Sequence, residues 1–307
     1  MNVLVFGATG FFGKEFVKKI HLDNSINLVL VNRNKKFMTQ EIDNKTYNEM
    51  NSWDCKNIDL AIDFSSNVSV DDFLSNPGAL FIKNIEIAIK NIKILHRSNF
   101  KGKYIYISTD RALVDNQNIK YINQVSINND PYGASKFVSE LLISYFNIIN
   151  DLRYVVVNFP NLYGPNQTSK QFIPTVLSKI DNSQSSIDIF SKKGDRNFLF
   201  IDDAVEALLK IVYDYECDKN IQISGTNVKI EFLLKEIKKI YSNLNIDVNF
   251  KEKNKSNLSR REFSSPPKIM NDRLFRKKYN WKPKISLTKG LQITINEHIE
   301  HNGEKQK

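Results

Sequence analysis

The stretch NVLVFGATGFFG, residues 2–13, decides the fold. It opens on an unbroken apolar run, passes through Gly7, Gly10 and Gly13 at three-residue steps, and leads into the helical pattern GKEFVKKIHL (13–22). A continuous apolar run bounded by glycine reads as a strand buried on both faces. In the helix that follows, Phe16, Val17 and Ile20 share the inner side. Glycines between such a strand and helix allow a tight turn and let backbone N–H groups approach a pyrophosphate at the helix N-terminus. The loop therefore predicts a dinucleotide site, with Gly7, Thr9, Gly10, Phe11, Phe12 and Gly13 against the cofactor.

The same alternation continues along the first half. INLVLVN (26–32), IDLAIDFS (58–65), KYIYIST (103–109) and RYVVVNF (153–159) read as strands, and 79–97 and 132–146 as amphipathic helices. Apolar strands separated by helices imply right-handed crossovers and a parallel sheet covered on both faces. The expected class is α/β, a doubly wound parallel sheet (Rossmann) with a second, smaller C-terminal substrate-binding lobe. Residues 34–57 hold no clear strand, so one strand and its helix are expected to be shortened or missing. After Pro165 the elements are broken by polar loops: helices over 170–180, 230–241 and 286–300, a strand over 186–190, and a strand turning into a helix over 198–214. The boundaries predicted are 1–165 for the dinucleotide-binding domain and 166–307 for the lobe, with 197–226 returning to the first. The last residues, 301–307, are expected to fray.

Composition excludes several classes. At 307 residues and 41% hydrophobic the chain suits a folded protein rather than a disordered one. It contains no apolar run of membrane-spanning length, so no membrane association is expected. The opening MNVLVFGATG lacks the features of a secretion signal, and Cys55 and Cys217 lie far apart, so a reducing cytoplasm is expected. Four scattered histidines do not predict a metal site. The net charge of +10 resides in residues 251–290, where thirteen Lys or Arg face three acids. That segment suits an anionic partner or solvated faces; aromatic residues do not alternate with the basic ones, and nucleic acid is not expected.

An acid at the end of the second strand would hold the ribose hydroxyls of NAD, whereas a cation would hold the 2′-phosphate of NADP. Here the strand ends in Asn32 and Arg33, followed by Asn34, Lys35 and Lys36. The missing acid favours NADP(H), with NAD(H) as the alternative. The strand in YISTDRALVD (106–115) ends in Ser108, Thr109 and Asp110, followed by Arg111. Farther on, PYGASK places Tyr132 and Lys136 one helical turn apart on one face. An ammonium beside a phenol favours the phenolate and brings the tyrosine into range as an acid or base. A hydroxyl from Thr109 or Ser108 can hydrogen-bond the same substrate oxygen while hydride passes to or from a nicotinamide.

With GATGFFG and YGASK, the segments NLYGP (161–165), KQFIP (170–174), RNFLFIDDAVEAL (196–208) and YNWKPKISLTKGL (279–291) make the chain resemble the extended short-chain dehydrogenase/reductase family, the epimerase/dehydratase group acting on nucleotide sugars. The resemblance covers nearly the whole chain. It implies that Thr109, Tyr132 and Lys136 are catalytic, with Ser108 and Asp110 beside them. It also implies that Phe64, Ser65 and Phe159 lie against the cofactor and that Asn84 supports the site. Asn161, Phe172, Arg196 and Arg261 would contact a nucleotide-diphosphate sugar, and a homodimer would form through the helices at 79–97 and 132–146. Arg261 lies ten residues before Asn271, where the family often has an aspartate; Asn158 stands where many relatives have arginine. Ordinary structural roles also fit these residues: Arg196 paired with Asp195 or Asp203, Arg261 solvated, Asn161 in a turn.

Arg111 bears on the reaction. Relatives that perform 4,6-dehydration usually carry Asp-Glu after the threonine, and a guanidinium cannot take the glutamate's part as a base. Relatives with Thr-Asp-Lys keep that reaction in view. Reduction of a 4-keto nucleotide sugar by NADPH, or 4-epimerisation with a retained NAD+, needs only the hydroxyl, Tyr132, Lys136 and the nicotinamide. The reductase is favoured, the epimerase is the alternative, and a dehydratase or dehydrogenase follows. A non-catalytic redox sensor or RNA-binding relative would have no use for Tyr132 and Lys136.

Overall fold

A computed structural model describes residues 1–33, 42–52, 54–68, 75–113, 131–150, 152–167, 171–181, 186–189, 192, 194–216, 219–252 and 270–305. Asn34, Lys35, Lys36, Cys217, Arg261 and the middle of the basic segment lie outside these residues.

Six strands open the chain: β1 (Asn2–Phe6), β2 (Asn27–Asn32), β3 (Asp43–Thr46), β4 (Leu60–Asp63), β5 (Lys103–Thr109) and β6 (Tyr154–Phe159). Farther on come β7 (Asn161–Tyr163), β8 (Ile187–Ile189), β9 (Asp195–Phe200), β10 (Asn220–Gln222), β11 (Thr226–Lys229) and β12 (Phe250–Glu252). The main sheet has seven strands in the order β10-β6-β5-β4-β1-β2-β3, all parallel. Strand order reverses between β1 and β4, and a crevice forms at the carboxyl ends of the strands beside such a reversal. Successive residues of β1 serve opposite cores: Val3 and Val5 join one apolar cluster, Leu4 and Phe6 the other. That two-sided burial is why the strands read as continuous apolar runs.

Helices α1 (Phe11–Ile20), α2 (Pro77–Arg97) and α3 (Pro131–Asn150) are the crossovers of the first half. Then follow α4 (Phe172–Asp181), α5 (Ile201–Val212), α6 (Ile230–Ser242), α7 (Arg273–Tyr279) and α8 (Leu287–Lys305). α1 and α5 pack together over one face of the sheet, α2 and α3 over the other. The buried ammonium of Lys103, at the start of β5, donates to Ile211 O and Asp214 O at 2.7 Å each and so caps the end of α5. Asp203 accepts from the backbone N–H groups of Lys284 and Ile285 at 2.9 and 3.0 Å, fastening the C-terminal region to α5. Smaller sheets lie apart from the main one, β11-β9-β7 and β12-β8.

The gap expected over 34–57 contains β3, four polar residues on the sheet edge, and a 3-10 turn over Glu49–Ser52. An edge strand buries too little to need an apolar pattern, so its sequence carries no strand signal. The last helix runs to Lys305 rather than ending near 300.

Candidate active site

The three loop glycines have three different physical reasons. Gly7 has φ +73°, and a Cβ there would lie 2.7 Å from the Ser65 backbone nitrogen. At Gly13 a Cβ would lie 2.5 Å from the Gly7 carbonyl oxygen. Both glycines are therefore required by the protein's own packing. Gly10 is exposed, and a Cβ on it would meet only Gly7 O, at the ordinary distance of 3.4 Å. Its missing side chain leaves space outside the fold. Gly10 is also the N-cap of α1, which has no capping side chain and no acid in its first turn. An uncapped, positively polarised helix end facing open space fits a pyrophosphate.

At the end of β2, next to the glycine loop, Asn32 is buried and its Nδ2 donates to Asn44 Oδ1 at 3.2 Å. Asn44 in turn donates to the carbonyl of Ile42 at 2.8 Å, which fixes the orientation of both amides. Asn32 Oδ1 is left buried with no hydrogen-bond partner among the described residues. An orphaned acceptor is costly unless something donates to it, and a ribose hydroxyl suits it. Arg33 follows, exposed. Thr9 is exposed beside Gly10, and Phe11 is half-buried. Phe12 lies below the loop, edge-on to Phe64 at 5.1 Å and to Phe159 at 4.9 Å. These three rings form a floor beneath the glycine loop. The residues present thus fit a nicotinamide dinucleotide.

The strand-end hydroxyls separate. Ser108 continues the side of β5 that carries Tyr104 and Tyr106, paired in register with Asn158 and buried under α3. Thr109, on the other side, accepts from Arg111 N at 3.3 Å and donates to Asp110 Oδ1 at 3.0 Å. Burial pushes the Asp110 carboxyl up, opposed by the cationic fields of Arg111 and Arg196. Arg196, on β9, contributes the weaker of these two fields, and its guanidinium donates to Asp195 O at 2.9 Å. Asp203 is occupied by Lys284 and Ile285, as described, not by Arg196.

Gly133 seats α3 on this strand end, because a Cβ there would lie 2.5 Å from the Arg111 carbonyl oxygen. That close approach brings the first turn of α3, with Tyr132, onto the Thr109–Arg111 turn. One turn on, Lys136 is buried, donates to Ile107 O at 2.7 Å and lies 3.9 Å from the centre of the Tyr106 ring. Desolvation lowers its pKa to about 8, opposed by the carboxylates of Asp63 and Glu140.

Asn84 is a support. Its Oδ1 accepts from Asn67 N at 2.7 Å, and its Nδ2 donates to Asn67 O and Ser135 Oγ, both at 3.1 Å. The amide is fully engaged, clamping the loop after β4 to α3. Asn161 donates to Asn197 O at 3.0 Å, joining β7 to β9. Phe172 opens α4 and packs half-buried on the core. Asn158, in place of the arginine common among relatives, donates to Thr109 O at 3.0 Å and to Glu140 at 2.9 Å. Asp272, rather than Asn271, provides the buried carboxylate ahead of α7, taking Ser224 N at 3.0 Å and Arg276 Nε at 2.8 Å.

Sequence reasoning passed over Asp63, Asn91, Tyr104 and Glu140. The available signal was a polar residue interrupting an apolar pattern, Asp63 in IDLAIDFS and Glu140 in KFVSELL.

Residues 3–223 match the NAD dependent epimerase/dehydratase family. The chain belongs to that family. Among curated members, a dTDP-D-glucose 4,6-dehydratase of Dictyostelium discoideum is 28% identical over 76% of this chain; the match spans 60% of that protein's length. The CDP-abequose synthase of Salmonella typhimurium is 26% identical over 68% of this chain and 69% of its own. Among solved structures, a UDP-glucose 4-epimerase of Thermotoga maritima superposes with TM-score 0.78 at 21% identity, covering 98% of this chain and 100% of that one. A dTDP-glucose 4,6-dehydratase of Streptomyces venezuelae, described with NAD, superposes with TM-score 0.82 at 15% identity over 99% and 98%. At such identities the superpositions speak for the Rossmann-like fold. The relatives named here carry the names of enzymes that act on nucleotide sugars. No helix among the described residues is long and apolar enough to cross a membrane.

Proposed function

We propose that this family member reduces a 4-keto-(6-deoxy) nucleotide sugar at C4 with NADPH, a step of the kind that completes deoxy sugars for surface polysaccharide. The observation that carries the reading is the strand end Thr109–Asp110–Arg111 held against the first turn of α3. It offers one hydroxyl and one phenol–ammonium pair, and an arginine where a second base would stand.

A bound nicotinamide supplies the hydride for the sugar carbonyl. Thr109 Oγ1 turns its proton from Asp110 toward that carbonyl oxygen and orients it. Tyr132 hands a proton to the oxygen as it becomes an alkoxide, which balances the reduction to a carbinol. Lys136 stabilises the phenolate left on Tyr132. The open face of Gly10 and the N-terminus of α1 hold the pyrophosphate. Asn32 Oδ1 would accept from a ribose hydroxyl and Arg33 would pair with a 2′-phosphate; the exposed arginine and the absence of an acid at Asn32 support NADP(H). Arg196, with Asn161, Phe172 and Arg261, is assigned to the nucleotide diphosphate; the cationic field it exerts at Asp110 supports this. A homodimer is assigned to α2 and α3, where Leu141, Tyr145, Ile148 and Ile149 repeat along one exposed apolar face of α3.

The test is oxidation of NADPH by the purified protein in the presence of a 4-keto-6-deoxy nucleotide sugar. Tyr132→Phe should lose about 10²–10⁴-fold in kcat while still binding dinucleotide. Full turnover in that variant sinks the proton donor. Copurified NAD+ with interconversion of 4-epimers and no net reductant use replaces the reductase by an epimerase.

A further inference from the structure

Asp63, the last residue of β4, is completely buried. Its carboxylate accepts from Tyr104 Oη at 2.8 Å, Asn91 Nδ2 at 2.7 Å and Ser65 N at 2.8 Å, and also from the Ser65 hydroxyl. Nothing assigned so far to cofactor or substrate explains why a carboxylate should be placed there. A buried anion is expensive to desolvate, and neutral donors offset only part of that. The register supplies what is missing. Asp63 pairs directly with Tyr106 on β5, so the two side chains share one side of the sheet. Over the ring of that same Tyr106 lies the buried ammonium of Lys136, 3.9 Å from its centre. A buried anion and a buried cation thus occupy one layer between the sheet and α3.

We propose that Asp63 is a positioning residue: its carboxylate is the counter-charge that holds Lys136 as an ammonium, one helical turn from Tyr132. The proposal rests on the proposed reaction for its catalytic consequence, but the charge pairing itself is measurable without substrate. The groups facing Lys136 are Asp63 from β4, Tyr106 from β5 and Glu140 from its own helix; Tyr132 acts on the same Tyr106. Those facing Asp63 are Tyr104 and Tyr106 from β5, Tyr47 from the segment after β3, and Lys136. α2 contributes the neutral Asn91. Glu140 is the competing anion. Burial pushes its carboxyl up, toward the neutral form, and Asn158 and Ser108 lie against it. Asp63 is the stronger field at Lys136.

The experiment follows the ¹³Cε resonance of Lys136 with pH in the full chain, assigned through Lys136→Arg. Wild type should titrate near pH 8. In Asp63→Asn the midpoint should fall by about one unit or more, the scale of losing a nearby opposite charge. The alkaline limb of kcat should fall with it. Tyr104→Phe removes a donor to Asp63 but keeps the charge, and should leave the Lys136 midpoint in place. An unchanged midpoint in folded Asp63→Asn, or an equal displacement in Tyr104→Phe, overturns the proposal. If Asp63→Asn does not fold, the variant that also carries Lys136→Met removes both buried charges and should recover a folded protein; no recovery overturns the pairing. Shifted titrations with no reductase activity would separate failure of the reaction from failure of this inference.

Discussion

Replacing Gly10 and Gly7 by alanine in turn should separate cofactor space from folding. At Gly10 the backbone sits at φ −73°, ψ 164°, which alanine adopts without strain. The new methyl meets only Gly7 O, at 3.4 Å. Alanine there gains about 0.4–1 kcal/mol by restricting the unfolded chain. It loses a similar amount, about 0.5–1 kcal/mol, because alanine is a poor N-cap. The two nearly cancel, so Tm should move by less than about 2 °C. Gly7 is different, with φ +73° and Ser65 N 2.7 Å from the added methyl. The left-handed conformation costs alanine about 1–2 kcal/mol, and the overpacking about 1–3 kcal/mol more. Gly7→Ala should therefore lower Tm by roughly 4–10 °C. Dinucleotide affinity should show the reverse selectivity. The Gly10 methyl stands where the pyrophosphate is assigned, and an overlap of about 1–3 kcal/mol weakens binding about 5- to 150-fold. Thermal melts without ligand and fluorescence titrations with NADH and NADPH measure both quantities. A Gly10→Ala protein that melts like wild type and binds both dinucleotides equally well would refute the assignment of that space.

Arg33→Ala should weaken NADPH binding by about tenfold or more, the loss of one charge-assisted contact, and leave NADH binding unchanged; equal effects on both, or none, remove the basis for NADP(H). Lys103→Met leaves the carbonyls at the end of α5 without their donor, which should cost about 1–3 kcal/mol. The loss should appear in thermal unfolding alone, because Lys103 starts β5 and the site lies at its other end; unchanged stability would mean that solvent replaces the ammonium.

Much of this protein was legible in its residues in order. A strand buried on both faces must be apolar throughout, a crossover helix must be apolar on one side, and a phosphate loop needs glycine, so β1, β2, β4, β5, β6 and their helices were readable. The Tyr132–Lys136 spacing was readable for the same local reason, a helical turn. The polar edge strand β3 was not, since an edge imposes no apolar pattern. Spacing could not distinguish Gly10, open to a ligand, from Gly7 and Gly13, closed by backbone; the neighbours that close them include Ser65, more than fifty residues away in the chain.

The order of residues by itself determined the class of fold and the Tyr132–Lys136 spacing to which proton transfer is assigned. Tertiary structure decided which strand-end hydroxyl is buried under α3 and which lies on the other side of β5, that Asn84 is fully engaged in support, and that Asp63 shares a layer with Lys136. Periodicity records what each segment buries, whereas the pairing of one segment's polar group with another's is set by strand register and helix packing. Those contacts exist only once distant stretches of chain are folded together.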